Sequence, residues 1–296
     1  MLESLGLTSS QIDLLSTITL DLSKIPGVAA IVLGGSYARG TARPDSDIDV
    51  ALYYSEKSPP EIAAIRQCAE KISRPDHPPT VAGFYKWGPW VNGGAWIHTP
   101  GGKLDLLYRN IDQVQRVLDE SGNGIYHHDY YQQPTFGFVS VIYLAETKCC
   151  LPLSDPQNLF AQLKQRVATY PPALRDKLIH DGLLTAEFTL SHAHTFSDRG
   201  DILNTVGCLT KVAYALSQAL FALNGEYYFG DKGSLEALER FPRKPEGFSR
   251  RLQETLTMLP GTPLGLKSAT TEFQDLWKAT VDLSHHRYTP RFGLPG

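Results

Sequence analysis

Apolar positions set two different rhythms along this chain. In the first part they come as short runs between turn residues. Val28 to Leu33 is an apolar run bounded by glycine, which predicts a buried strand. Ile48 to Tyr54 predicts a second strand. Residues 95–99 and 103–108 flank Pro100-Gly101-Gly102 and read as a β-hairpin. Thr8 to Gln11 has the form of a capping box, opening a helix that runs to about Lys24 and stops at Pro26-Gly27. A second helix is expected from Pro59-Pro60 through Ile72, a surface loop over 74–79, and a short amphipathic helix over 111–119. The stretch 134–150 is apolar throughout. Its pattern fits helix or strand, with Phe138, Val141, Ile142 and Ala145 favouring helix.

From about Pro156 the period becomes helical. Segments 157–169, 173–196, 201–223, 246–258 and 267–285 all carry apolar residues at i+3 and i+4 steps. Leu203, Val206, Leu209, Val212, Leu216 and Leu220 trace one such face, and Asn224-Gly225 marks its end. The expected fold class is therefore α+β. An α/β first part spans residues 1–120 and an all-α bundle spans 121–296.

Composition narrows this little. The chain has 296 residues, enough for one large or two ordinary domains, and a formal net charge of −3. That charge argues against a broad, unspecific grip on nucleic acid. No run approaches 18 uninterrupted apolar residues, so no membrane span is expected. The start lacks the basic and apolar regions of a secretory signal. Cys68, Cys149, Cys150 and Cys208 are too sparse for a disulfide framework, so free thiols in a reducing cytoplasm are expected.

The chemistry lies in Gly34-Gly35-Ser36-Tyr37-Ala38-Arg39-Gly40 and the following Asp45-Ser46-Asp47-Ile48-Asp49. Glycines let the backbone approach a ligand closely, Ser36 offers a hydroxyl, and a helix start there offers N–H groups to an anion. Arg39 is a candidate phosphate-binding cation, or a plain surface residue. Asp47 and Asp49 are two apart on a strand and project from the same face. Two such carboxylates repel each other unless a cation sits between them, and Mg²⁺ suits them. Asp105 sits among Leu104, Leu106 and Leu107 on a later strand, where an unpaired acid is costly. If that strand lies beside 48–54, Asp105 becomes a third ligand and a two-metal site follows. Taken singly, a Gly-Gly-Ser turn, an Asp-x-Asp pair and a strand acid are ordinary features. Their order along the chain carries the reading.

With Gly34-Gly35-Ser36, Arg39-Gly40, Ser46-Asp47-Ile48-Asp49 and Lys103-Leu104-Asp105-Leu106 in place, the first 110 residues resemble the DNA polymerase beta-like nucleotidyltransferases. The helical second part is similar in layout to the bundles attached to aminoglycoside nucleotidyltransferases. The resemblance implies a small mixed sheet, metal on Asp47, Asp49 and Asp105, and a triphosphate on Gly34, Gly35 and Ser36. It implies two Mg²⁺ ions, a nucleoside triphosphate co-substrate with ATP favoured, and a catalytic first domain with a substrate-binding second one. It also admits a homodimer.

Weaker signals remain. Asp105 or Glu146 is a candidate general base, and Glu146 reads more simply as a helix-surface residue. Lys211 and Lys232 are candidate phosphate contacts, against a snorkelling helix lysine and a solvated loop lysine. His192 and His194 are two apart on a helix and do not share a face, so a metal there is not expected. Tyr126, Tyr130 and Tyr131 are candidates for a base or acceptor pocket. Arg240, Arg243, Lys244, Arg250 and Arg251 form a basic run, read as a solvated face or an RNA contact. A small-molecule hydroxyl, for instance on an antibiotic, is the favoured acceptor. RNA, such as a tRNA end, and a protein side chain are the alternatives. A non-catalytic nucleotide-binding module is the reading of another class.

Overall fold

The computed structural model describes residues 2–259 and 261–295, and only the backbone of Glu3. After a short 3-10 turn, the order of elements in the front part is α1 (Ser9–Ser23), β1 (Val28–Leu33), α2 (Gly35–Ala38), β2 (Ile48–Tyr54), α3 (Ile62–Ile72), β3 (Thr80–Val81), β4 (Gly94–Thr99), β5 (Gly102–Asn110) and α4 (Ile111–Gly122). Then come β6 (His128–Asp129), β7 (Phe138–Val139), α5 (Val141–Cys149), β8 (Leu151–Ser154) and α6 (Leu159–Val167). The rest is helical: α7 (Pro172–Asp198), α8 (Ile202–Leu223), α9 (Ser234–Glu239), α10 (Phe248–Thr257) and α11 (Pro263–Leu283). The fold class is α+β.

The first unit comprises residues 1–120 and 128–169. Its six-stranded sheet has the order β3-β4-β5-β2-β1-β8. β2 and β5 run parallel, while the other neighbours are antiparallel. Thr8 caps α1 as the sequence suggests: its hydroxyl accepts from Gln11 N, and the Gln11 side chain accepts from Thr8 N. One face of the sheet forms the core. Ile31, Leu33, Ile48, Val50, Leu52, Ala95, Ile97, Leu104 and Leu106 pack there with Leu15, Ile18 and Leu22 of α1 and Ile65, Ala69 and Ile72 of α3. Strand alternation sends the intervening residues, Asp49 and Asp105 among them, to the opposite face.

The second unit comprises residues 121–127 and 170–296. The long helices α7 and α8 pack closely, and Gly182 permits it: a Cβ there would meet Ala215 O at 2.7 Å. α8 is long and apolar enough to cross a membrane by length and composition, and most of it is buried inside the fold.

Most elements fall where the pattern put them. The ambiguous stretch resolves into the two-residue β7 followed by α5. β8 and α9 were not expected. The sequence pattern turns helical near Pro156 and the expected boundary lies at residue 120; in the structure segment 128–169 packs with the first unit. The reasons are local: β8 pairs with β1, and Glu146 on α5 is held by Arg109 on β5.

Candidate active site

The site begins where β1 ends. Gly34 N donates to Asp49 O at 2.8 Å, which ties the turn to the first acid strand. Gly35 has φ +60°, and a Cβ there would come within 1.7 Å of Asp49 Oδ2. Only glycine permits both that conformation and that approach. The turn continues into the single-turn helix α2, with Ala38 N donating to Gly34 O and Arg39 N to Gly35 O. The first N–H groups of such a turn have no acceptor within the helix. Ser36 and Arg39 lie half-buried beside them.

The parallel register sets Asp49 opposite Asp105, with Ile48 opposite Leu104 and Val50 opposite Leu106. Both acids therefore leave the same face of neighbouring strands, as the sequence reading required. Asp47 lies two residues before Asp49, at the entrance to β2. Burial pushes the Asp49 carboxyl up to about 6, helped by the negative charges of Asp105, Asp47 and Glu146, while Arg39 works the other way. Burial also raises Asp105, against a hydrogen bond from Lys103.

Lys103 is the residue the sequence reading passed over. Its Nζ donates to Asp47 Oδ2 at 2.8 Å and stands 3.1 Å from Asp105 Oδ1. Burial would lower the ammonium, but the two carboxylates outweigh it and hold it raised. The signal was present: Lys103 is two residues before Asp105 on a strand and must share its face.

The donor set fits a hard divalent cation in kind. It consists of carboxylate oxygens only, Asp105 Oδ1 is buried with no hydrogen bond besides its ion pair with Lys103, and Asp49 is pushed up by the negative charges around it. As the side chains stand, no three His, Cys, Asp or Glu residues among those described are gathered around one point. The Lys103 ammonium fills the space between Asp47 and Asp105.

Glu146 is neither a free base nor a plain surface residue. Arg109, 3% exposed, grips it with Nε to Oε2 at 2.8 Å and Nη2 to Oε1 at 2.7 Å. Burial alone would lower the guanidinium, and Glu146 raises it instead. Arg109 was not singled out from sequence, because nothing in a strand-end arginine announces a partner 37 residues later.

Most of the other candidates belong to the second unit. Lys211 is exposed on α8 of the second unit and lines a groove with Cys208, Asn204, Phe188 and His192. Lys232 is exposed in the turn before α9. His192 and His194 diverge: His192 packs on Phe188, and His194 bonds Gln274. The tyrosines do not form one group. Tyr126 belongs to the second unit and bonds Asp181, whereas Tyr130 and the fully exposed Tyr131 belong to the first. The basic run is largely spoken for within its own unit. Arg250 pairs with Glu254, Arg251 with Glu272, and Lys244 donates to the carbonyls of Glu239 and Phe241.

Residues 12–82 match the family model of the nucleotidyltransferase domain. That segment of the chain is similar to a nucleotidyltransferase domain. The match covers the Gly34-Gly35-Ser36 turn, Asp47 and Asp49, and ends before Asp105. No curated protein sequence matches significantly. Among solved structures, a nucleotidyltransferase-like protein from Exiguobacterium sibiricum 255-15 is similar with a TM-score of 0.47 at 10% identity, over 92% of this chain and 76% of that one. An aminoglycoside 6-adenyltransferase from Bacillus subtilis is similar with a TM-score of 0.31 at 12% identity, over 96% of this chain and 94% of that one.

Proposed function

We propose that this enzyme transfers a nucleoside monophosphate from a nucleoside triphosphate, ATP in the first instance, to a hydroxyl of a small molecule and releases pyrophosphate. One observation carries this reading: Asp49 and Asp105 face each other across a parallel strand pair, with the Gly34-Gly35 turn pressed against Asp49. A nucleotide-binding module without chemistry has no use for such an accumulation of acid.

In this reading Gly34, Gly35 and Ser36 hold the β- and γ-phosphates, and Arg39 supports them. Asp47, Asp49 and Asp105 would hold Mg²⁺, two ions in all. Bound there, magnesium supplies the neutralisation of charge on the reacting phosphate that such transfers depend on. The acceptor oxygen bonds to the α-phosphorus as the bond to the β-phosphate oxygen breaks. Asp105 takes the acceptor proton, since Glu146 is committed to Arg109. The segment to residue 120 serves as the catalytic domain and the helical part as the substrate domain, to which Lys211 and Lys232 belong. The engagement of Lys244, Arg250 and Arg251 within the basic run favours a small acceptor over RNA. The four free cysteines suit a reducing, cytoplasmic setting.

The test is pyrophosphate release with Mg²⁺-ATP and labelled nucleotide, over a panel of aminoglycosides and lincosamides, an RNA pool and a protein extract. Label should move to a small molecule, and Asp47→Ala or Asp49→Ala should abolish its transfer without unfolding the chain. Turnover unchanged in both variants would remove the roles assigned here.

A further inference from the structure

We propose that Trp96, backed by Trp87, is the seat on which the ring of the acceptor lies; this rests on the reading of the chain as an enzyme acting on a small-molecule hydroxyl. Trp96 stands directly opposite Asp105 in the antiparallel ladder of β4 and β5. Opposed residues share a face and their Cα atoms lie about 4.5–5.5 Å apart. The indole therefore leaves the sheet on the same side as Asp105 and Asp49, while its neighbours Ala95 and Ile97 point into the core.

Trp96 is 47% exposed, on a strand whose inward residues are fully buried. So much indole in water is costly for a side chain that dominates core energetics elsewhere. The ring is nonetheless fixed. Trp87 stacks on it with centroids 4.9 Å apart and planes 22° from parallel. Trp87 is held in turn: its N–H donates to Asn92 O at 3.2 Å, and its carbonyl accepts from Gln132 Nε2 at 2.7 Å. Gly94 leaves the room for it, since a Cβ there would meet the Trp87 ring at 3.1 Å and Leu106 O at 2.0 Å.

Strand order gives the pair its role. Across the sheet the sequence is β1, β2, β5, β4. The anion turn leaves β1, the acids stand on β2 and β5, and the tryptophans stand on the β4 side. The acids thus lie between the turn and the indole face. In-line transfer puts the entering hydroxyl and the leaving pyrophosphate on opposite sides of the phosphorus. The turn takes the leaving side, which assigns the indole face to the entering one. The ligand is a small hydroxylated ring compound, its ring flat on Trp96 and a hydroxyl over Asp105. Lys103, the cation beside this edge, is committed to Asp47 and Asp105 and does not present a charge to track a nucleic-acid backbone.

The full chain, as wild type and as W96A, W96F and W277F, is titrated with kanamycin, streptomycin and lincomycin in turn, following intrinsic tryptophan fluorescence. Trp277 is buried on α11 and serves as the control. At least one compound is expected to quench the wild type and W277F saturably. Its Kd should rise about tenfold or more in W96A and far less in W96F, the loss expected when a ring stack is removed. Far-ultraviolet dichroism should be unchanged, Trp96 being half in solvent. The proposal is overturned if none of the three saturates the wild type, if W96A binds as the wild type does, or if an RNA oligonucleotide with a free 3′-hydroxyl quenches Trp96 and the ring compounds do not. The titration needs no turnover. Saturable binding that depends on Trp96, in a chain that never releases pyrophosphate, would sink the transfer reading and leave the ring seat standing.

Discussion

Asp49 in the first unit and Glu187 in the second are both carboxylates on well-packed elements, and the fold treats them in opposite ways. Glu187 is wholly buried on α7, yet it is answered on every side. Its oxygens accept from the Tyr288 hydroxyl, from Arg291 N at 2.9 Å and from Phe292 N at 2.8 Å. Asp49 instead meets the charges of Asp105, Asp47 and Glu146, with Arg39 working against them. A buried acid with its donors in place fastens a structure: here it ties the C-terminal segment to α7. A buried acid set among other acids costs stability, and its persistence points to chemistry.

Replacing each acid tests that contrast most strongly. Asp49→Asn should lower transfer at least ~10³-fold, because it removes one charge from the centre on which phosphoryl transfer depends. Its unfolding free energy in urea should stay level or rise, since the variant relieves like-charge repulsion. Glu187→Ala should do the reverse and cost about 2 kcal/mol of unfolding free energy, by taking the acceptor from the buried Tyr288 phenol and from two part-buried backbone N–H groups. A destabilised Asp49→Asn, or a Glu187→Ala as stable as the wild type, would erase the distinction.

How far the sequence carried this contrast depended on spacing. The acid pair was legible because Asp47 and Asp49 lie two residues apart where a strand begins. Asp105 was legible because its apolar flanks forced it to one face of another strand. What strand pairing adds could not be read locally. The Asp49–Asp105 register, Trp96 opposite Asp105 and the Arg109–Glu146 clasp all join residues brought together only by the sheet. Glu187 was invisible for the same reason, its partners lying 101 to 105 residues onward. Lys103 differs, being two residues from Asp105 and open to the rule that revealed Asp47 and Asp49. The helix over 141–149 stayed ambiguous because it is apolar almost all round: Val141 through Ala145 are all buried, and no polar stripe marks the period. β8 was missed because Pro152 lies within it, tolerated there because β8 is the last strand of the sheet.

Gly35 sharpens the comparison at the backbone. An alanine there would sit at φ +60° with its Cβ 1.7 Å from Asp49 Oδ2, so the carboxylate must move. Gly35→Ala should reduce transfer by about 10²-fold through misplacement of the acid, with ~1–2 kcal/mol of stability lost to the left-handed backbone. Transfer at the wild-type rate would mean that the turn does not position Asp49 for catalysis.

Lys103 gives the smallest effect and the closest test of the acid cluster. Its ammonium lies 2.8 Å from Asp47 and 3.1 Å from Asp105, and it supplies part of the positive charge these acids require. Any magnesium ion reaching the same oxygens competes with it. Lys103→Met keeps the length of the stem and deletes the charge. Removing one unit charge a few ångströms from the ligands, at the effective dielectric of a half-open site, should tighten cation binding several-fold. The Mg²⁺ concentration for half-maximal transfer should fall by about 3- to 10-fold, and calorimetric titration with Mn²⁺ should show the same gain without turnover. Weaker cation binding in Lys103→Met would mean that the ammonium organises Asp47 and Asp105 for the ion rather than competing with it. The acids would then resemble Glu187 more than Asp49, held in place by a donor they cannot do without.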